Sequence, residues 1–298
     1  MIPSRPLRRP TLLVVGCGDV GLRVLRLLRG RWRVLALTSS PARHAALRAA
    51  GAVPLAGNLD DPATLRRLAG LADAVLHLAP PPGRGAADTR TAALLAALAR
   101  RRAPARLVYA STTGVYGDCG GALVDETRPL HPQTDRARRR VDAELRVRAW
   151  GRARGVPTTA LRIPGIYASD RDGGRPQDRL LRGTPLLAAA DDGWTNHVHA
   201  DDLARACVAA LHRGRPGRAV NVCDDGDRRT GEHYDAVADA LGLPRLPRVP
   251  RAEAAAHFTP MQWSFMNESR RLSNRRMKRE LRVRLRYPTV EQALRQES

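Results

Sequence analysis

Thr11-Leu12-Leu13-Val14-Val15-Gly16-Cys17-Gly18-Asp19-Val20-Gly21, continued by Leu22-Arg23-Val24-Leu25-Arg26-Leu27-Leu28, is the stretch from which the fold is read. Its opening run of Leu and Val has the pattern of a strand buried on both faces. The run breaks at Gly16, and apolar residues then recur at Val20, Val24, Leu25, Leu27 and Leu28, close to helical spacing. Gly-x-Gly-x-x-Gly therefore falls where a strand turns into a helix, the context that a dinucleotide-binding turn requires. In that role Gly16 makes the tight turn, Gly18 lets backbone approach a pyrophosphate, and Gly21 lets the helix pack closely on the strand. Asp19 and Val20 open the helix, whose N-terminal N–H groups and dipole would hold the phosphates.

Outward from this stretch, strands and helices alternate. Trp32 to Thr38 reads as a second strand. A unit that prefers NAD places Asp or Glu at the end of this strand to bond the ribose 2′-OH. Here Thr38, Ser39 and Ser40 follow, then Arg43, so hydroxyls and a guanidinium stand where an acid would, which favours NADP over NAD. The plainer alternative is that Arg43 only decorates the next helix. Ala52 to Ala56 gives a third strand and ends in Gly57-Asn58-Leu59-Asp60-Asp61, where Asp61 or its neighbour caps a helix containing Leu65 and Leu68. Asp73 to Leu78 is a fourth strand, stopped by Ala79-Pro80-Pro81-Pro82-Gly83. A helix over Thr91 to Arg102, a fifth strand over Ala105 to Ser111, a charged helix over Arg136 to Trp150 and a sixth strand over Val156 to Ile163 complete the series. This order implies an α/β fold with a doubly wound parallel sheet and helices on both faces.

Composition narrows the function. The 298 residues are 43% hydrophobic, enough for a sizeable core, but only 4% aromatic, so Leu, Val and Ala must do most of the packing. The formal charge of +22 points on its face to nucleic acid or an anionic membrane. However, Lys278 is the only lysine among 51 basic residues and the arginines are scattered, which reads as compositional bias rather than a binding patch. A basic nucleic-acid-associated protein is thus the third reading, and no specific nucleic acid and no membrane partner are expected. Cys17, Cys119, Cys207 and Cys223 form no Cys-x-x-Cys pair, so neither a metal knuckle nor a disulfide framework is indicated, and a reduced, cytoplasmic setting fits. Met1 to Pro10 reads as a disordered basic arm, since the apolar run after it is too short for a signal segment.

Three motifs, taken in order, carry a resemblance: Gly16-x-Gly18-x-x-Gly21, then Ser111-Thr112-Thr113-x-Val115-Tyr116-Gly117, then Leu161-Arg162-x-Pro164-x-x-Tyr167. They resemble an extended or atypical short-chain dehydrogenase/reductase of the NAD-dependent epimerase/dehydratase branch. Asn196-His197-Val198-His199-Ala200-Asp201-Asp202 and Ala219-Val220-Asn221-Val222 agree, so the likeness covers residues 11 to 295 or so. It implies a Rossmann domain over 11–165 and a segment over 166–298 that completes the sheet and forms a small substrate-binding part. It further implies cofactor contacts from Asn58 and Leu59 after the third strand and from Leu78, Ala79 and Pro80 after the fourth. Thr112 matches the Ser/Thr that bonds the substrate oxygen, and Thr113, Tyr116 and Tyr167 are weaker substrate candidates. Asp201 or Asp202 is expected to cap the helix from Leu203 to Leu211. His197 and His199 alternate as on a strand but have no third partner at metal spacing, so no metal is expected.

The redox members of the family use Tyr four residues before Lys, because a cation one helical turn away lowers a phenol pKa that is otherwise about 10. Aligning the helix through Glu144 puts Arg140 at the lysine position and Arg136 at the tyrosine position, and the chain contains no Tyr-x-x-x-Lys elsewhere. A guanidinium does not give up its proton, so Arg136 cannot be the acid or base. Arg140 is the cation expected to hold cofactor ribose or phosphate, while Arg136, Arg138 and Arg139 read as a solvated helix start. Tyr116, His131 and Asp135 are the substitute proton carriers. The leading reading is an NAD(P)-binding oxidoreductase or epimerase-like protein acting on a small polar or nucleotide-sugar-like substrate. The rival is a redox-inert NADP-binding sensor or interaction protein. A homodimer is an open alternative for assembly.

Overall fold

The structure, a computed structural model, describes residues 9–254 and 256–297. Of the expected basic arm, residues 1–8 lie outside the described residues. Seven strands form one sheet: β1 (Thr11–Val15), β2 (Arg33–Thr38), β3 (Val53–Ala56), β4 (Ala74–His77), β5 (Arg106–Thr112), β6 (Thr158–Ile163) and β7 (Arg218–Asn221). Their order across the sheet is β7-β6-β5-β4-β1-β2-β3, and every neighbouring pair is parallel. The winding reverses between β1 and β4, which is where a doubly wound sheet leaves a crevice at its carboxyl edge. The helices that matter here are α1 (Asp19–Leu28), α2 (His44–Ala49), α3 (Thr89–Leu98), α4 (Asp135–Arg154), α5 (Ala200–Arg213), α6 (Thr230–Leu241) and α7 (Val290–Glu297).

The unbroken apolar run of β1 has a simple cause. Side chains alternate across a strand. Leu12 and Val14 enter the core under α1 and α5, with Val24, Leu28, Leu203 and Cys207. Leu13 and Val15 enter the opposite core, with Leu94 and Leu98 of α3 and Ala143 and Val147 of α4. Each such Leu or Val stabilises the fold by roughly 1.5–3 kcal/mol relative to exposure. The segment after residue 166 adds β7 to the sheet and α5 to its face, and builds a third core from Tyr167, Leu186, Val237, Tyr287, Val290 and Leu294. Asp61 caps the turn over Pro62–Leu68 as expected, but that turn is a 3₁₀ helix. Asp88 caps α3, which therefore begins at Thr89 and ends at Leu98, leaving Arg100 to Arg102 in the turn beyond it.

A buried polar network ties α4 to the far half of the sheet. Glu144 and Arg162 pair at 2.8 Å with side chains only 4% and 3% exposed. Ser111 donates to Glu144 Oε1 at 2.5 Å, and Arg162 Nη1 donates to the Tyr116 hydroxyl at 2.8 Å. Tyr116 in turn donates to Asn221 Oδ1 on β7 at 2.8 Å. Removing one partner of such a pair strands a buried charge, whereas replacing both with apolar groups can be nearly neutral. Glu144→Ala is therefore expected to lower unfolding free energy by about 3–5 kcal/mol in urea titrations, with much of the loss recovered in the Glu144→Met/Arg162→Met double variant.

Candidate functional site

The glycine turn sits at the carboxyl end of β1, and its three glycines meet three different surroundings. Gly16 has φ +82°, and a Cβ there would lie 2.5 Å from the Cα and N of Ala79. Only a residue without a side chain lets the turn pass the end of β4. A Cβ at Gly21 would meet Cys17 Sγ at 3.0 Å and Leu78 Cδ1 at 3.6 Å, so this position seats α1 close against the sheet. A Cβ at Gly18 meets nothing within 4 Å. Gly18 instead faces a cleft of about 300 Å³, lined by Gly16, Asp19, Val20, Gly21, Leu78, Ser111, Thr112, Arg140, Ile163, Ile166, Arg171 and Leu203 among others. The cleft lies at the reversal of strand order, bounded by β1, β4, β5 and β6.

Several expected contacts converge on this cleft and several do not. Arg43 Nη2 donates to the Cys17 carbonyl at 2.6 Å, which holds its guanidinium on the glycine turn rather than leaving it as decoration on α2. Thr38 Oγ1 accepts from Ser40 N at 3.2 Å, while Ser39 is exposed beside it at the end of β2, and neither of them nor Arg43 is in the cleft lining. Leu78 lines the cleft and Ala79 backs Gly16, but Pro80 is exposed and its carbonyl accepts from Arg90. Asn58 is also outside the lining: its Oδ1 accepts from Asp60 N at 3.0 Å in a local turn, and Leu59 packs against the α3–α4 core.

Helical spacing puts Arg136, Arg140 and Glu144 on one face of α4. With Glu144 fixed to Arg162, that face meets the carboxyl end of β5. Arg140 Nη1 donates to the Ala110 carbonyl at 2.8 Å and the Tyr109 hydroxyl at 3.1 Å, and Arg140 lines the cleft. Arg136 is exposed on that face, as expected, and partial desolvation still holds its guanidinium below its usual range, with Glu268 opposing the shift. Arg139 is not solvated as expected; it is buried and donates to the Gly85 carbonyl at 2.5 Å. Thr112 lines the cleft, and its hydroxyl also accepts from Gly114 N at 3.4 Å.

Three weaker candidates fall elsewhere. Thr113 is buried in the 3₁₀ turn after β5, outside the lining. Tyr116 is 1% exposed inside the Arg162 network, and burial pushes its phenol up to about 12. Tyr167 is buried in the third core, where burial and the neighbouring Asp224 drive its phenol far upward. Neither phenol lines the cleft: the Tyr116 hydroxyl is engaged by Arg162 and Asn221, and Tyr167 is packed in the third core. His131 and Asp135 are exposed outside the lining, and Asp135 pairs with Arg138. Neither Asp201 nor Asp202 caps α5 with its side chain. His199 does so, its Nδ1 accepting from Asp201 N at 3.2 Å. Asp202 instead accepts from the N–H groups of Arg286 and Tyr287. His197 stacks on His233 at 3.8 Å, and no group of three metal-ligating side chains occurs among the described residues.

Sequence reasoning missed two arginines. Arg23, 4% exposed, is a hub for Asp19, Asp170 and Asp201, with distances of 3.1 Å to Asp19 and 2.6 Å to Asp201. Only its spacing of four from Asp19 was visible in advance. Arg171, in the loop after β6, reaches back to Asp19 and enters the cleft wall.

A parallel sheet in this order, with a glycine turn at its reversal, defines a Rossmann fold. Residues 12–223 match the NAD dependent epimerase/dehydratase family, and the chain belongs to it. It is 27% identical over 219 residues to a dTDP-glucose 4,6-dehydratase of Mycobacterium tuberculosis, covering 62% of this chain and 66% of that protein. It is 31% identical over 141 residues to Protein YeeZ of Escherichia coli, covering 46% and 47%. The chain thus spans about two thirds and one half of the length of these curated relatives. Among solved structures, a conserved protein of unknown function from Silicibacter pomeroyi superposes with a TM-score of 0.78 at 32% identity, covering 96% and 97%. A dTDP-glucose 4,6-dehydratase from Streptomyces venezuelae, solved with NAD bound, superposes at 0.75 with 24% identity and 95% coverage of both chains, which speaks to the fold. Among the described residues, no helix is long and apolar enough to cross a membrane.

Gly16→Ala forces a strained φ against Ala79 backbone and is expected to lower the melting temperature, costing about 1–3 kcal/mol, while Gly18→Ala leaves stability within about 0.5 kcal/mol. Buried histidines add a pH dependence. Burial holds His77 down at about 3, helped by Arg140, and His197 at about 4. As pH falls the unfolded chain takes up these protons first, so their contribution to stability is complete above about 6.5 and is lost below it. Urea midpoints are expected to fall between pH 6.5 and 4, less steeply in His77→Phe than in the wild type.

Proposed function

We propose that this protein binds a nicotinamide dinucleotide, NADP in preference to NAD, and acts as an epimerase/dehydratase-type oxidoreductase. The substrate class we assign is small and polar or nucleotide-sugar-like. One observation carries the reading: Gly18 opens onto the cleft at the strand-order reversal, while its two partner glycines are each held against protein. A Cβ at Gly18 would occupy space that a pyrophosphate needs, so the residues present fit the group. Arg43, bonded to the Cys17 carbonyl, is the cation we assign to a 2′-phosphate, with Thr38 and Ser39 as its hydroxyl partners. The dTDP-glucose 4,6-dehydratase among the curated relatives supports the substrate class.

A bound nicotinamide supplies hydride acceptance and donation. The chain's own part follows from its cleft-lining side chains. Thr112 bonds the substrate oxygen as a hydroxyl donor, and Arg140, tethered through Ala110 and Tyr109, holds cofactor ribose or phosphate as a fixed cation. Leu78, Ile163, Ile166 and Leu203 exclude water from the inner wall. A second reading, a redox-inert NADP sensor, is favoured by a specific feature: the described lining has no Tyr, His or Lys, and its single carboxylate, Asp19, is paired with Arg23 and Arg171. We place either activity in the cytoplasm, where four buried, unpaired cysteines stay reduced.

Calorimetric titration separates these readings. NADPH is expected to bind at least tenfold more tightly than NADH, and Arg43→Ala to erase the difference. Gly18→Val should abolish binding while leaving the fold intact by circular dichroism. Absence of binding by both dinucleotides at millimolar concentration removes the cofactor assignment. Turnover of candidate sugar nucleotides that is reduced by a factor of ten or more in Thr112→Val supports catalysis. Turnover that is unchanged in this variant removes Thr112 from it.

A further inference from the structure

We infer that Arg171 is a pyrophosphate clamp: its guanidinium, now parked on Asp19, is positioned to pair with the phosphates of a dinucleotide lying over Gly18. This assignment rests on the dinucleotide reading above and adds to it a residue from the far side of the cleft.

Three features seat the side chain. The loop carrying it is closed on itself, with Arg171 N donating to the Ala168 carbonyl at 3.2 Å and Gly174 N donating to the Arg171 carbonyl at 3.0 Å. The arginine stem lies across Gly174, where a Cβ would come within 2.7 Å of Arg171 Cδ. The preceding residue, Asp170, is pinned by the buried Arg23. The loop is therefore anchored to α1 independently of Arg171, which is left half-buried in the wall of the cleft.

Its present partner explains the role. Asp19 is the residue after Gly18, in the path that a pyrophosphate takes, and a bare carboxylate there would repel the ligand. Arg23 already compensates Asp19 through Nε. Asp19 is the one side chain that Arg171 bonds among the described residues, through Nη1 alone. Nε and Nη2 remain able to donate, and a guanidinium fork pairs two phosphate oxygens where a carboxylate now takes one arm. Asp19 acts as the place-holder that keeps the fork aimed at the turn. The remote loop after β6 thereby closes over the phosphates, opposite the backbone N–H groups of the turn.

Fluorescence titration with NADPH and with ADP-ribose tests this directly. Arg171→Ala should weaken both ligands by about tenfold or more and to a similar degree, since both carry the pyrophosphate. Arg171→Lys, which keeps charge without the fork, should fall between, and carries the test if the alanine variant does not fold. Asp19→Asn should leave NADPH binding as tight or tighter when Arg171 is present. Wild-type affinity in both Arg171 variants overturns the clamp. So does equal weakening by Asp19→Asn in the presence and absence of Arg171, which marks the pair as a structural strap. A wild-type protein that binds neither ligand overturns the dinucleotide reading instead.

Discussion

The buried pair between Glu144 and Arg162 is the constraint on which the site depends. Neither charge reaches water, so the fold must satisfy both from within. It does so completely enough to be stable: Ser111 serves one carboxylate oxygen, Tyr116 one arm of the guanidinium, and the Tyr116 ring lies 4.8 Å below the guanidinium carbon. This requirement fixes the rotation of α4 about its axis. Arg140, one turn before Glu144, is thereby directed at the end of β5 and into the cleft. Tyr116 is consumed as a structural group, which is why a tyrosine so near the site does not serve it.

A second ionic centre does the same beside the glycine turn. Arg23 is buried on α1 yet has three carboxylates around it, from α1 itself, from the loop after β6 and from the start of α5. Charge balance at one guanidinium thus binds three segments that are remote in sequence, and burial is tolerable because the carboxylates compensate it. The glycine turn, the Arg171 loop and α5 are held together around the cleft for this reason. With arginine supplying nearly all positive charge in the chain, planar forks rather than point charges organise both centres.

These two centres explain the cleft's chemical character. Its wall presents hydroxyls, fixed cations and aliphatic surface, a set suited to gripping an anionic nucleotide and excluding water. Proton transfer near neutral pH is not something that arginine offers. The phenols of Tyr109 and Tyr116 are both driven up to about 12 by burial, so neither takes over that task from within the fold. Binding and catalysis are therefore separable properties of this scaffold.

Sequence by itself determined the doubly wound parallel sheet and the glycine turn, because these rest on local signals: apolar runs, helical spacing and residues lacking a Cβ. Gly16 against Ala79 and Gly21 against Cys17 have the surroundings that the motif implied. It also singled out Arg43, Thr112 and Arg140, each tied to a strand or helix end whose place follows from the winding. Only the tertiary structure decided which polar side chains were free to act. Tyr116, Tyr167 and Arg139 resemble candidates or surface residues in the linear chain, and burial committed each of them to internal contacts. His199 displaced Asp201 and Asp202 as the cap of α5 because both acids had distant partners, Arg23 and the backbone at Arg286 and Tyr287. Arg23 and Arg171 became legible only when segments separated by well over a hundred residues met, since charge compensation acts through space and leaves no periodic trace along the chain.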